Sequence, residues 1–416
     1  MLSLSSLAFR VPITMTETRF PDSLVETGGG SILLLVLDGL GGLPHPETGL
    51  TELESARTPH LDALASRSSL GMMVPVLPGI TPGSGPGHLS LFGYDPIAHQ
   101  VGRGALSALG VGFDLAPGDL AVRLNLATLD GEGRVTDRRA GRPSDEVGRR
   151  VVGMLRDALQ PPGGVELFMH HEKEHRAVLI LRGGEFREEV QDTDPQEVGV
   201  PPLPPRALIP EAGPTEEVLT RLLGQARDVL RNEERVTGVL ARGFASFHGF
   251  PSLEERFRLR GVAVARYPMY RGVARLVGME SAGEPGTDEE AVALLQRVFG
   301  EYDFHFLHFK APDARGEDRD FEAKVRAVEE ADALLPSIEA LQPEVLIVTG
   351  DHSTPAGMGT HSWHSVPVLL HSRWGRPSAG EFGETVARAG DLGTFEAKHL
   401  MSLALAHAGR LRKFGA

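Results

Sequence analysis

The first sustained apolar run is Ser31-Ile32-Leu33-Leu34-Leu35-Val36-Leu37, closed by Asp38 and Gly39. With no polar residue alternating through it, the run predicts a strand buried on both faces, as in a parallel sheet. Its acid falls at the carboxyl end, where open α/β sheets hold their ligands. The pattern returns at 302–309, leading to Lys310 and Asp313, and at 344–350, leading to Asp351 and His352. Val366-Pro367-Val368-Leu369-Leu370 is a fourth such run. Between the second and third, Phe321, Val325, Val328 and Ala331 or Ala333 share one helical face, which predicts a helix over 320–335. Strand, helix and strand at this spacing predict right-handed crossovers in a parallel sheet. Thr58 before Pro59 marks the cap and first position of a helix over 59–66.

The middle of the chain reads differently. Residues 113–212 are turn-rich, with short strands at 166–169 and 177–181, and end in Pro201-Pro202-Leu203-Pro204-Pro205. This predicts an α+β domain inserted into an α/β domain made of 31–112 and 213–416, with a helix over 215–231 resuming the first domain. Residues 1–30 carry turn formers, end in Gly28-Gly29-Gly30, and read as a loose lead-in, with Met15 an alternative start. The length of 416 residues fits two to three domains at roughly 150 each. A hydrophobic share of 41% is far too high for a disordered chain. The net charge of −14 argues against a nucleic-acid binder but leaves room for a locally positive pocket. With no cysteine, disulfides, a thiol nucleophile and thiolate metal sites are excluded. The longest strongly apolar run, Ile32–Leu37, is far below the roughly 20 residues of a spanning helix. Arg10 and Pro12 interrupt an N-terminus that lacks a basic start, so a signal peptide is not expected. The expectation is a cytoplasmic chain with no membrane or nucleic-acid partner.

Candidate chemistry gathers at the predicted strand ends: Asp38, Asp313, Asp351-His352, and His361 with His364. One acid after a strand is most often a cap or turn former. Four such positions on one edge of one sheet point instead to a metal centre. Oxygen and nitrogen donors without sulfur suit Mn²⁺, Mg²⁺ or Zn²⁺, in numbers enough for two ions. Two ions roughly 4 Å apart are a common device for displacement at phosphorus. In Pro82-Gly83-Ser84-Gly85-Pro86-Gly87-His88 the glycines let backbone amides approach an anion, and beside a metal Ser84 becomes a nucleophile. Arg103 between two glycines, Arg123, and Asp137-Arg138-Arg139-Ala140-Gly141-Arg142 supply guanidinium forks suited to phosphate and carboxylate.

These segments occur in a telling order. Asp38-Gly39, Thr58-Pro59-His60-Leu61-Asp62, Pro82-Gly83-Ser84, Gly93-Tyr94-Asp95-Pro96, Gly102-Arg103-Gly104, Arg123-Leu124-Asn125, the Asp137–Arg142 run and Thr349-Gly350-Asp351-His352-Ser353-Thr354-Pro355 follow one another. From about residue 31 onward the chain resembles the archaeal-type, 2,3-bisphosphoglycerate-independent phosphoglycerate mutases of the alkaline phosphatase superfamily. The resemblance implies an alkaline-phosphatase-like, mostly parallel sheet with helices on both faces. It implies an isomerase of glycolysis and gluconeogenesis that interconverts 3- and 2-phosphoglycerate through a phosphoserine, with no bisphosphoglycerate. Two divalent ions are implied, Mn²⁺ foremost, with Mg²⁺, Zn²⁺ or Co²⁺ as alternatives. One ion falls to Asp38, Ser84, Asp351 and His352, the other to Asp313, His361 and a third ligand. Where the family has a histidine four residues after that aspartate, this chain has Glu317, a harder donor. Two further departures are Gly85 in place of the common Asp, and His364-Ser365 in place of an Asp-Pro pair. His88 and His364 are alternative donors to Glu317. Arg103, Arg123, Asn125, Arg138, Arg139, Arg142 and Lys310 are expected to grip the small phosphorylated substrate, and Asp137 to shuttle protons. The rivals are a phosphatase or another phosphomutase on the same scaffold, and a non-catalytic metabolite sensor.

Overall fold

The apolar run Ile32–Leu37 is strand β1, and all of its side chains are buried. Ile32, Leu34 and Val36 enter one core, while Leu33, Leu35 and Leu37 enter the core on the opposite face. Each such leucine contributes about 1.5–3 kcal/mol relative to exposure, which places β1 at the sheet's centre. In the computed structural model, which describes residues 22–99, 101–377 and 380–415, β2 (Ser69–Val74) belongs to the same sheet. The chain then leaves for an antiparallel sheet of β3 (Leu120–Leu129), β4 (Val135–Asp137), β5 (Glu166–Lys173), β6 (Arg176–Arg182) and β7 (Gly238–Ser246). It returns with β8 (Gly261–Ala265), β9 (Glu280–Ser281), β10 (Phe304–Phe309), β11 (Val345–Thr349), β12 (Val366–Ser372) and β13 (Gly393–Glu396).

Among the described residues the first sheet runs β13-β2-β12-β11-β1-β10-β8-β9. Its centre, β11-β1-β10-β8, is parallel, as expected. The run at 366–370 is a strand too, but β12 lies antiparallel to both β11 and β2. An apolar run signals burial and carries no direction. The expected helix over 320–335 is Phe321–Glu339, started by Asp320, whose side chain accepts from Ala323 N. Its Val328, Ala331, Leu335 and Ile338 cover the Leu33 face of β1. Among the described residues no helix is long and apolar enough to cross a membrane.

Two boundaries differ from the sequence expectation. Helix Gly213–Leu230 does not resume the first domain: Leu219, Leu222, Ala226 and Leu230 pack with Leu120, Val122 and Leu124 of β3. Strand β7 then pairs with β3, and the inserted domain closes only where Asp119 and Phe247 meet through a hydrogen bond. Helical periodicity marks an apolar face without saying which sheet covers it. The described end of the lead-in is tied down. Val25 bridges Leu411, Gly30 N donates to Ala408 O, and the buried Arg410 donates to Gly30 O and Asp303. Met15 and the first residues lie outside the described part.

Candidate active site

Strand register gathers the expected site residues. Leu37 of β1 pairs with Phe309 of β10, and Val36 with Thr349 of β11, so Asp38, Lys310 and Asp351 leave the sheet side by side. The loops they enter are laced together, since Leu40 and Gly41 both bridge Ser353, and Ser353 bridges Ser362. Asp38, Asp351 and His352 are completely or almost completely buried, and each presents a ligand atom within 4.8 Å of the other two. Asp313, His352 and His361 form a second group of the same compactness.

Hydrogen bonds settle which atoms are free. The Thr354 hydroxyl donates to Asp313 Oδ1 at 2.6 Å, so it accepts from His352 Nδ1 at 3.0 Å. The proton on Nδ1 leaves the lone pair on Nε2, which faces Asp351 Oδ2 at 3.1 Å, Asp38 Oδ1 at 3.5 Å and Ser84 Oγ at 3.4 Å. His352 therefore serves the Asp38–Asp351 group. His361 Nδ1 donates to Pro82 O at 3.0 Å, which turns its Nε2 toward Asp313 Oδ1 at 3.5 Å and Glu317 Oε1 at 3.8 Å. Glu317 is half exposed at the end of helix Ala311–Glu317, beside the second group rather than inside it. His88 donates to Ser84 O and lies 3.2 Å from Asp351, so it supports the first group. The His364 ring bonds Ser362 and stacks on Trp363.

Asp38 and Asp351 are held ionised. Burial pushes the Asp38 carboxyl up. The hydrogen bond from His308, at 3.0 Å, and the charge of Lys310 outweigh burial and bring it well below the usual range. Burial and the neighbouring Asp38 raise Asp351, and the His352 and His88 rings more than offset them. Lys310 Nζ bridges Asp38 and Asp313, so it stands among the donors and does not line the arginine cavity. Burial pushes the Tyr270 hydroxyl up, reinforced by the charges of Asp38 and Asp351. Buried Asp38 Oδ1 and Asp351 Oδ2 lack hydrogen-bond partners. Orphaned carboxylate oxygens facing an imidazole lone pair are the donor set a divalent ion requires, so the residues fit the expected metals. Ser84 opens helix Ser84–Leu91 from an extended Gly83, where free backbone amides favour an anion.

The expected arginines converge elsewhere. Arg103, Arg123, Asn125, Arg138, Arg139 and Arg142 line one cavity of about 420 Å³, joined by Lys173, Glu174, His175, Arg176 and Arg242. Seven arginines and a lysine face one lining acid. Arg123 of β3 lies directly opposite Arg242 of β7, a like-charge pair that destabilises a sheet unless an anion bridges it. Arg123 Nε is buried without a partner. Burial and the charges of Arg176, Arg242 and Arg103 lower its pKa. Arg138 is preset by a two-point hydrogen bond to the buried Asp194, 2.8 Å at each contact. Asp137 precedes the arginine run. Its oxygens accept from Arg139 N and Gly141 N, shaping the turn that carries the arginines, and it does not line the cavity. Sequence reasoning passed over the 173–176 hairpin turn because a charged turn reads as solvated surface, and over Arg242 because its partner is more than a hundred residues away. Among the described residues no hydrogen bond or ion pair joins these arginines to Asp38, Ser84, Asp313, Asp351 or His352.

A parallel sheet with paired donor groups and a serine at its carboxyl edge, carrying an inserted domain with a cationic cavity, defines an α/β enzyme of two domains. Residues 65–235 match the family described as 2,3-bisphosphoglycerate-independent phosphoglycerate mutase. A Thermus thermophilus protein named as a probable mutase of this kind is 50% identical over 397 residues, covering 94% of this chain and 98% of that one. One from Thermotoga neapolitana is 45% identical over 403 residues, covering 97% and 100%. Among solved structures, a Pyrococcus horikoshii protein superposes with a TM-score of 0.79 at 29% identity, over 93% of this chain and 100% of that one. The cofactor-independent phosphoglycerate mutase of Thermoplasma acidophilum gives 0.74 at 28%, over 91% and 100%. The chain belongs to the 2,3-bisphosphoglycerate-independent phosphoglycerate mutases, a family of isomerases.

Proposed function

We propose that the chain interconverts 3-phosphoglycerate and 2-phosphoglycerate through a phosphoserine at Ser84, as a cytoplasmic step of glycolysis and gluconeogenesis. The observation that carries this is the Ser84 hydroxyl 3.4 Å from the free Nε2 of His352, beside two orphaned carboxylate oxygens. Asp38, Asp351 and His352 would hold one divalent ion with Ser84, and Asp313, His361 and Glu317 the other. When bound, such ions lower the pKa of a serine hydroxyl and neutralise phosphoryl charge. Ser84 Oγ gives up its proton and attacks phosphorus as the bond to the 3-oxygen breaks; that oxygen takes up a proton, and free glycerate results. Arg103, Arg123, Arg138, Arg139 and Arg142, with Asn125, keep the glycerate carboxylate within the closed protein. The glycerate 2-oxygen then attacks phosphorus and the Ser84 ester breaks, which restores the hydroxyl. Closure of the inserted domain keeps water from the phosphoserine, because hydrolysis there would make a phosphatase. Lys310, between the carboxylates of the two groups, would add a positive charge beside the transferred phosphate.

A coupled assay with and without added bisphosphoglycerate, across Mn²⁺, Mg²⁺, Zn²⁺ and Co²⁺, tests the proposal. Turnover without bisphosphoglycerate, loss of turnover in Ser84→Ala and phosphate on Ser84 by mass spectrometry are expected. Normal turnover by Ser84→Ala would remove the nucleophile. Release of inorganic phosphate in place of 2-phosphoglycerate would favour a phosphatase, and turnover with none of the ions would remove the metals.

A further inference from the structure

Two buried charges lie beneath the donor groups. Lys324, on helix Phe321–Glu339, and Glu52, at the start of helix Glu52–Ser55, are both fully buried, with Nζ and Oε1 3.9 Å apart. Lys324 Nζ donates to Gly41 O at 3.0 Å and to Thr354 O at 2.8 Å. Glu52 accepts from Leu43 N at 3.2 Å through Oε2 and from Ala356 N at 2.7 Å through Oε1. Gly41 and Leu43 belong to the loop that begins at Asp38, and Thr354 and Ala356 to the loop that begins at Asp351. Each charge therefore bonds to both loops, and the ion pair crosses between them.

Stability alone is a poor reason for this arrangement. Removing two charges from water costs several kcal/mol each, and an apolar pair of similar volume is often as stable or more so. What an apolar pair lacks is direction. Four hydrogen bonds to named backbone atoms add to the bridges of Leu40 and Gly41 with Ser353 in fixing the spacing of two loops that contain no strand or helix. Thr354 passes the constraint on, because its hydroxyl bonds both Asp313 and His352. We propose that Glu52 and Lys324 form a positioning pair that sets the distance between Asp38 and the Asp351–Thr354 segment, and with it the affinity of both donor groups for divalent ions. The inference rests on the two-ion site proposed above.

Manganese titration of the metal-free protein, with free Mn²⁺ followed by electron paramagnetic resonance, tests it without reference to activity. The wild type is expected to bind two ions. The double variant Glu52→Gln with Lys324→Met, which removes both charges together, is expected to bind each ion about 10–100-fold more weakly. Leu335→Ala, buried on the same helix about 16 Å along it from Lys324, serves as comparator: it is expected to lower the melting temperature and leave Mn²⁺ affinity unchanged. Should the double variant fail to fold, Glu52→Gln alone is expected to lose affinity in the same direction. Wild-type affinity in the folded charge variants, or an equal loss in Leu335→Ala, would overturn the positioning role. A wild type that binds no Mn²⁺ would overturn the two-ion site and this inference with it.

Discussion

A threonine hydroxyl decides how His352 is used. By donating to Asp313 and accepting from Nδ1, Thr354 commits Nε2 to the side where Ser84 stands. Replacing it with valine keeps the shape, frees the tautomer and leaves a buried Asp313 oxygen without its donor. Thr354→Val is expected to lower kcat by about 10–100-fold with little change in KM, and Thr354→Ser to restore most of the loss, in steady-state kinetics. A second residue-scale effect concerns His175, which lines the arginine cavity. Burial, with the charges of Arg176 and Arg139, brings its pKa from 6.5 down to about 4. The unfolded chain therefore takes up a proton near pH 6.5 that the folded chain accepts only near pH 4. Stability contributed by the neutral ring is present above that window and declines as pH falls through it. Urea midpoints measured from pH 7 to pH 4 are expected to fall less steeply for His175→Gln than for the wild type.

At the scale of elements, helix Ser84–Leu91 brings the serine to the sheet because Gly87 has no side chain. A Cβ there would sit 2.6 Å from the carbonyl oxygen of Asp351. Gly87→Ala is expected to push the helix away from the donors, lowering kcat by about a hundredfold at a stability cost of about 1–3 kcal/mol, read by kinetics and urea unfolding together. Unchanged kcat would show that the helix does not set the position of Ser84. The same scale explains what could be read from sequence. Unbroken apolar runs announced β1 and β11, an apolar run carrying two histidines announced β10, and the acids that follow them met because parallel strands share an edge. The arginine segments named six lining residues of the cavity. Helix Gly213–Leu230 was assigned to the wrong core because its stripe of leucines fits either sheet. Asp137 has a structural task that its arginine neighbours did not announce: the turn after it, with Ala140, Gly141 and Arg142 at positive φ, uses its carboxylate to bind the amides. Glu52 and Lys324 carried no signal at all. A buried ion pair 272 positions apart is visible only once both loops have been folded onto it.

For the whole molecule, the donors belong to one domain and the cationic cavity, apart from Arg103, to the other, with two chain crossings near Asp119 and Phe247 between them. Eight cations concentrated in one cavity of a chain with net charge −14 strongly favour an anion there. Small-angle scattering is expected to show a smaller radius of gyration when 3-phosphoglycerate and Mn²⁺ are added together than with either alone. An unchanged radius would remove domain closure from the cycle. The pairing of Val25 with Leu411 has a practical side. Six residues of strand, about 20 Å, separate that pairing from Asp38. A tether fixed at the exposed Lys413, two residues past that pairing, would thus grip the protein on the face turned away from Ser84, and molecules so anchored to a resin would keep their mouths open to the passing solution.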